Sequence, residues 1–264
     1  MEFFDSHAHY TDEKFENDRD EIIEAIYKDG VTKFVSAGYS AKSSEMAIEL
    51  ANKYPYVYTI CGISPNDIPE NVENLKEQIA KIDEILVKRN NKIVAVGEIG
   101  LDYYWNQENK ELQKEAFIKQ IELANKYELP IVIHTRDAFY DTIDILKNNI
   151  VNKKGIFHCC PLNQELVKKA LELGFYISFA GPCTFKNSKN ADEIIKIVPL
   201  DKMLIETDSP YLSPEPKRGT RNDSRNVKLV AEKIANVREA KLEDIAKITY
   251  ENAMKIFCIN EELR

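Results

Sequence analysis

Ile93-Val94-Ala95-Val96-Gly97-Glu98, the long segment from Glu108 to Tyr127, and then Pro130-Ile131-Val132-Ile133-His134 decide how this chain folds. The two apolar runs are too short for helices and too continuous for half-exposed strands, so they read as strands buried on both faces. Between them Leu112, Ala116 and Leu123 form a buried stripe interleaved with Glu115, Lys119 and Lys126, the pattern of an amphipathic helix that ends before Pro130. Strand, helix and strand in that order predict a parallel pair joined by a crossover.

The same alternation extends in both directions. Candidate strands are Phe3 to Asp5, Lys33 to Ala37, Val57 to Cys61, Ile93 to Glu98, Ile131 to His134, Gly155 to His158, Tyr176 to Phe179 and Met203 to Asp208. Helical segments separate them, and two more, near Arg225 to Asn236 and Leu242 to Phe257, follow the last strand. Eight strands alternating with helices predict an α/β fold, a single (β/α)8 TIM barrel with C-terminal helices, over residues 1–264. An open doubly wound sheet is the alternative; against it, no GxGxxG turn follows the first strand. Repeats, low-complexity tracts and Gly/Ser linkers are absent, which predicts one domain.

Composition narrows the function. A chain 44% hydrophobic and 30% charged is neither disordered nor collagen-like. Its net charge of -8 argues against general coating of phosphate backbones or anionic membranes, though a metal centre can reverse the field locally. The five cysteines are odd in number and lack CxxC spacing, which predicts a reducing, cytoplasmic setting. Neither a signal-like start nor an 18-residue uncharged apolar run is found, so no membrane association is expected, and no obligate protein partner is evident.

All four histidines fall at the C-terminal ends of the expected strands, where barrel enzymes build their sites. His7 and His9, two apart in extended backbone, point to one face and can converge on one ion. The bland alternative is a polar strand end with incidental histidines. His134 and His158 each close an apolar strand, a place where a histidine is also a common structural hydrogen bonder. Glu98 and Asp208 close two more strands, and singly either could face solvent or cap a helix. Together the six side chains form a candidate metal ring.

Imidazole and carboxylate ligands without thiolates suit Zn, Mn, Co or Fe, and Mg where carboxylates dominate. Six ligands exceed the needs of one catalytic ion, so two divalent ions, Mg, Mn or Zn, are expected, with Glu98 as candidate bridge and catalytic group. Asp208 is the candidate to orient the attacking water or take its proton. Cys159 and Cys160 adjoin His158, but no second cysteine pair completes a zinc site and no other signature supports a nucleophilic thiol.

Asp5-Ser6-His7-Ala8-His9, Gly97-Glu98-Ile99-Gly100-Leu101-Asp102, His134-Thr135-Arg136-Asp137-Ala138, Phe157-His158-Cys159, Glu206-Thr207-Asp208-Ser209-Pro210-Tyr211-Leu212 and Glu251-Asn252-Ala253-Met254-Lys255-Ile256-Phe257 carry a resemblance to the TatD family of metal-dependent deoxyribonucleases along essentially the whole chain. The resemblance implies a barrel hydrolase of amidohydrolase type with metals on His7, His9, Glu98, His134, His158 and Asp208. It also implies hydrolysis of DNA phosphodiesters, commonly exonucleolytic trimming of single strands or ends.

Three places depart from the family pattern. Gly62-Ile63-Ser64-Pro65 stands where the family has Gly-x-His-Pro, and His158-Cys159-Cys160-Pro161-Leu162 stands where His-Cys-Phe-Ser-Gly is typical. Arg221-Asn222-Asp223-Ser224 replaces Arg-Asn-Glu-Pro. The loop from Glu215 to Lys228 holds five basic and two acidic residues, net +3, leaving -11 elsewhere. Its Arg218 and Arg221, with Arg136, are the candidate phosphate contacts. The loop could instead be a solvated connection, and Arg136 could pair with Asp137 or Asp102. Tyr103, Tyr104 and Trp105 could stack on unpaired bases or pack under their loop. The competing functions are a small-molecule hydrolase of lactonase or phosphotriesterase type on the same ring, and a silent binding scaffold, which retention of all six ligand types opposes.

Overall fold

The computed structural model describes residues 1–260. Eight parallel strands run in chain order: β1 (Phe3–Ala8), β2 (Val31–Ala37), β3 (Val57–Cys61), β4 (Ile93–Asp102), β5 (Ile131–Arg136), β6 (Gly155–Phe157), β7 (Tyr176–Phe179) and β8 (Met203–Ile205). The crossovers carry α1 (Arg19–Lys28), α2 (Ala41–Lys53), α3 (Val72–Leu86), α4 (Lys110–Tyr127), α5 (Phe139–Asn148), α6 (Gln164–Glu172) and α7 (Ala191–Ile197). α8 (Val227–Arg238) and α9 (Leu242–Ile256) follow. β1 meets the end of β8 through a parallel bridge between Ala8 and Ser209, so the sheet is a nearly closed TIM barrel with C-terminal helices, as the alternation predicts.

Two apolar clusters hold it together. The larger packs helices against the outside of the strands. The smaller takes Phe4, Val35, Ile60, Val94, Val132, Ile156, Tyr176 and Leu204, one from each strand, while their strand neighbours Phe3, Phe34, Ile93, Ile131, Phe157, Ile177 and Met203 join the larger, so it lies on the opposite face, in the barrel interior. Ala253, Ile256 and Phe257 join it, and Phe257 stacks on Phe4 at 6.0 Å, so α9 plugs the N-terminal end of the barrel. The C-terminal end is left open.

Strand ends depart from the sequence expectation where polar residues take over the ladder. β1 runs on to Ala8, with a register shift between Asp5 and Ala8. β4 runs on to Asp102, and between Val96 and Ile99 it advances three residues against two of β5, a bulge centred on Gly97 and Glu98. Gly100 sits at φ 138°, and a Cβ there would meet the His134 carbonyl oxygen at 2.0 Å, so only glycine lets β4 and β5 approach at this level. β8 stops at Ile205 rather than Asp208 because the Thr207 N–H donates to Asp5 Oδ1 at 2.9 Å instead of to a strand, and Asp208 turns to φ 56°. α8 begins at Val227 rather than Arg225 because Asp223 first caps a 3-10 turn over Ser224–Asn226. Among the described residues no helix is long and apolar enough to cross a membrane.

Candidate metal centre

The open end of the barrel brings all six candidate ligands together. β1 delivers His7 from within the strand and His9 just beyond it; β4 delivers Glu98 at its bulge, β5 His134, the first residue past β6 is His158, and the third past β8 is Asp208. Glu98 stands at the centre and divides its oxygens. Oε2 lies 3.3 Å from His7 Nε2 and 3.6 Å from His9 Nε2, while Oε1 lies 3.1 Å from His134 Nδ1 and 3.5 Å from His158 Nε2. Asp208 Oδ1 completes the first group, 3.2 Å from His9 Nε2 and 3.8 Å from His7 Nε2.

Within each group the imidazole nitrogens also face one another, at 3.1 Å for His7 with His9 and 3.1 Å for His134 with His158. A nitrogen aimed at both an imidazole nitrogen and a carboxylate oxygen cannot donate one proton to both. A cation between them satisfies every lone pair. Tetrahedral bonds of about 2.0–2.1 Å place neighbouring ligand atoms about 3.3 Å apart, close to the separations seen here. His7, His9 and Asp208 form one compact set, and His7, Glu98 and His158 another.

Electrostatics favour the same occupant. Burial alone would raise Glu98, but His158, His134 and His7 around it hold its carboxyl well below the usual range. Burial likewise opposes ionisation of Asp208, and the His9 hydrogen bond overrides it, bringing the group to about 2. Two ionised carboxylates facing four imidazoles make a site that attracts a divalent cation.

Two further carboxylates orient the imidazoles, and sequence reasoning missed both in that role. Asp102 Oδ2 lies 2.9 Å from His134 Nε2, so a proton held there leaves Nδ1 as the lone pair facing Glu98. Glu206 Oε1 lies 3.2 Å from His158 Nδ1 and accepts the Cys159 N–H at 2.8 Å, which leaves His158 Nε2 facing the site. A glutamate inside an otherwise apolar strand run, and an aspartate four positions after Glu98, were the available signals. Asp5, fully buried, accepts from Thr207 Oγ1 and Ser224 Oγ, each at 2.5 Å, and so ties β1 to the Asp208 turn and to the basic loop.

A cleft of about 1260 Å³ opens over the centre. Its lining includes Ser64, at the position of the family's Gly-x-His-Pro histidine, and Arg136 and Trp105 on one side, with Pro161, Leu162 and Pro182 on another. Arg136 pairs with neither Asp102 nor Asp137; its guanidinium lies 3.7 Å from the centroid of the Tyr104 ring. Arg218 and Arg221 do not line the cleft. Arg221 forms a two-point ion pair with Asp18 at 2.5 and 2.9 Å, and Arg218 lies over Phe185 at 4.3 Å. Arg225 pairs with Asp223, so much of the loop's charge is engaged within the protein. Burial, with the charges of Asp208 and Glu206 beside it, pushes the Cys159 thiol up, and burial does the same to Cys160, which opposes a thiolate role for either.

A parallel barrel with an imidazole and carboxylate ring at its C-terminal mouth defines the class of metal-dependent hydrolases. Sequence comparison narrows the class. The family model described as TatD related DNase matches residues 4–258, and the chain belongs to that family. It is 42% identical to the uncharacterized metal-dependent hydrolase YabD of Bacillus subtilis, over 97% of this chain and 99% of that protein. It is 34% identical to the uncharacterized metal-dependent hydrolase MJ1582 of Methanocaldococcus jannaschii, over 97% of each. Among solved structures, the TatD homolog YJJV from Escherichia coli superposes with a TM-score of 0.92 at 24% identity, covering 98% of each chain. The organophosphorus hydrolase of Deinococcus radiodurans shares the fold alone, with a TM-score of 0.66 at 12% identity over 97% of this chain and 92% of its own.

Proposed function

We propose that this chain hydrolyses phosphodiester bonds of DNA, exonucleolytically at single strands or ends, with two divalent ions, Mg, Mn or Zn, and with residues 1–264 acting as one cytoplasmic catalytic unit. The observation that carries the reading is the division of Glu98: each oxygen faces a different pair of imidazoles. His7, His9 and Asp208 with Oε2 would hold one ion, and His134 and His158 with Oε1 the other. Ions bound there supply a nucleophilic water near neutral pH and neutralise charge growing on the phosphoryl oxygens.

The chain's own groups do the rest. Asp208, held low by His9 and lining the cleft, would take the proton of the attacking water as the new P–O bond forms and the P–O bond to the departing sugar oxygen breaks, and would return that proton to the leaving alkoxide. Arg136 holds a non-bridging phosphate oxygen, with no carboxylate among the described residues competing for its guanidinium. Ser64 offers a hydroxyl where the family's usual residue offers an imidazole, a weaker and uncharged contact. Reduced cysteines fit the cytoplasmic setting.

One observation favours a second reading, a small-molecule hydrolase of lactonase or phosphotriesterase type. The cleft has an apolar wall at Leu162, Leu166 and Pro182, and the basic loop beside it is largely paired. End-labelled single-stranded DNA, duplex DNA and RNA, with Mg or Mn and with or without chelator, test the two against a panel of lactones and phosphotriesters. Chelator-sensitive release of nucleotides is expected. Protein that holds a divalent metal and turns over only the small substrates overturns the nuclease reading.

A further inference from the structure

The loop after β4 is braced far more than an ordinary connection. Tyr103 turns inward, 8% exposed, and its hydroxyl donates to Asp141 at 2.6 Å. Asp102 Oδ1 accepts the N–H groups of Tyr104 and Trp105 at 2.9 and 3.1 Å. Gln113, buried on α4, donates to the carbonyls of Asp102 and Asn106 at 3.1 Å each and to Asn109 Oδ1 at 2.7 Å. What this bracing presents to solvent is Tyr104, 52% exposed, and Trp105, 68% exposed, packed edge to face at 4.9 Å.

Apolar rings held this open give up the free energy of burial, which a slack loop would recover by folding them in. Arg136 lies 3.7 Å from the Tyr104 ring centroid and 5.5 Å from that of Trp105, and forms no ion pair among the described residues. Trp105 and Arg136 both line the cleft above the metal centre. An exposed indole beside a guanidinium that no carboxylate among the described residues pairs with matches a ligand with a flat π surface and an anion on adjacent groups, which is a nucleotide with its base unpaired. A base inside a duplex has both faces covered by its neighbours.

We propose that Trp105, supported by Tyr104 and Arg136, is a stacking subsite for one unpaired nucleobase of the strand being cut. The inference deepens the phosphodiesterase reading above and rests on it. Asp102 sets the subsite's place, since one of its oxygens holds the Trp105 backbone while the other orients His134 at 2.9 Å. The base and the reacting phosphate are thereby registered against each other by a single side chain.

Trp105 is the only tryptophan in the chain, so its fluorescence reports this subsite alone. The metal-loaded protein is titrated with a cleavage-resistant phosphorothioate oligothymidylate, single-stranded or annealed blunt to its complement, while cleavage of the unmodified strand is measured in parallel. Saturable quenching by the single strand and little by the duplex is expected. By anisotropy of a labelled strand, Trp105→Ala weakens binding about 5- to 150-fold, the loss expected for one base stack, and Trp105→Phe restores most of it. Metal content equal to wild type in both variants shows that the centre is intact. Wild-type single-strand affinity in Trp105→Ala, with cleavage retained in the wild type, overturns the subsite and leaves the nuclease reading standing. Quenching by the single strand without cleavage supports the subsite and overturns the nuclease reading. Neither quenching nor cleavage overturns both.

Discussion

Glu98 concentrates the account in one residue, because its two oxygens face two groups of imidazoles that share no other carboxylate among the described residues. Glu98→Gln replaces one anionic oxygen with an amide that donates hydrogen bonds. Metal bound per chain, measured by plasma mass spectrometry, should then fall at both positions, whereas Asp208→Ala should empty one. The outer carboxylates act through the imidazoles they orient. Asp102→Asn and Glu206→Gln should each weaken metal affinity about 10- to 100-fold by calorimetric titration, with unchanged affinity in both contradicting their role. The six side chains that meet at the open end were readable as candidate ligands because histidine and carboxylate at strand ends are conspicuous in a chain with four histidines. Asp102 and Glu206 were not assigned, because their function is a contact across 32 and 48 residues that spacing alone does not reveal.

Strands carry the next level of control. β3 and β7 form over the residues their apolar runs predict. β1, β4 and β8 differ because Asp5, the Glu98 bulge and Thr207 redirect backbone hydrogen bonds, and these same irregularities aim His7, Glu98 and Asp208. Gly100→Ala tests this coupling of strand geometry to site. Its Cβ would collide with the His134 carbonyl, and overpacking alone costs about 1–3 kcal/mol, so the urea midpoint should drop with the m-value kept. A midpoint equal to wild type would show that β4 and β5 can separate freely. The basic loop was legible as charge but not as structure. Arg221 finds Asp18 across 203 residues, and with both side chains about one-third exposed that pair contributes at most about 1 kcal/mol. Arg221→Ala should therefore lower stability slightly and leave metal content unchanged, as thermal melts and mass spectrometry would read.

At the scale of the molecule, α9 closes one end of the barrel and the six candidate ligands crowd the other, so stability and candidate site share the same eight strands. Ions that bind only the folded barrel must stabilise it by mass action, by about 2.7 kcal/mol at a hundredfold excess over Kd. Chelator-treated protein should accordingly melt lower, and Mn or Zn should raise the midpoint with concentration; a midpoint indifferent to metal would contradict a ring built for cations. The charge balance makes sense on the same scale, because an acidic body near -11 and a partly paired loop near +3 leave recognition to the cleft rather than to the surface. Anomalous diffraction from crystals grown with Mn or Zn tests the central claim most directly. Two peaks about 3.5–4 Å apart are predicted, one beside His7, His9 and Asp208 and one beside His134 and His158, each bonded to its own oxygen of Glu98. A single peak, or peaks that leave Glu98 unbonded, would contradict it.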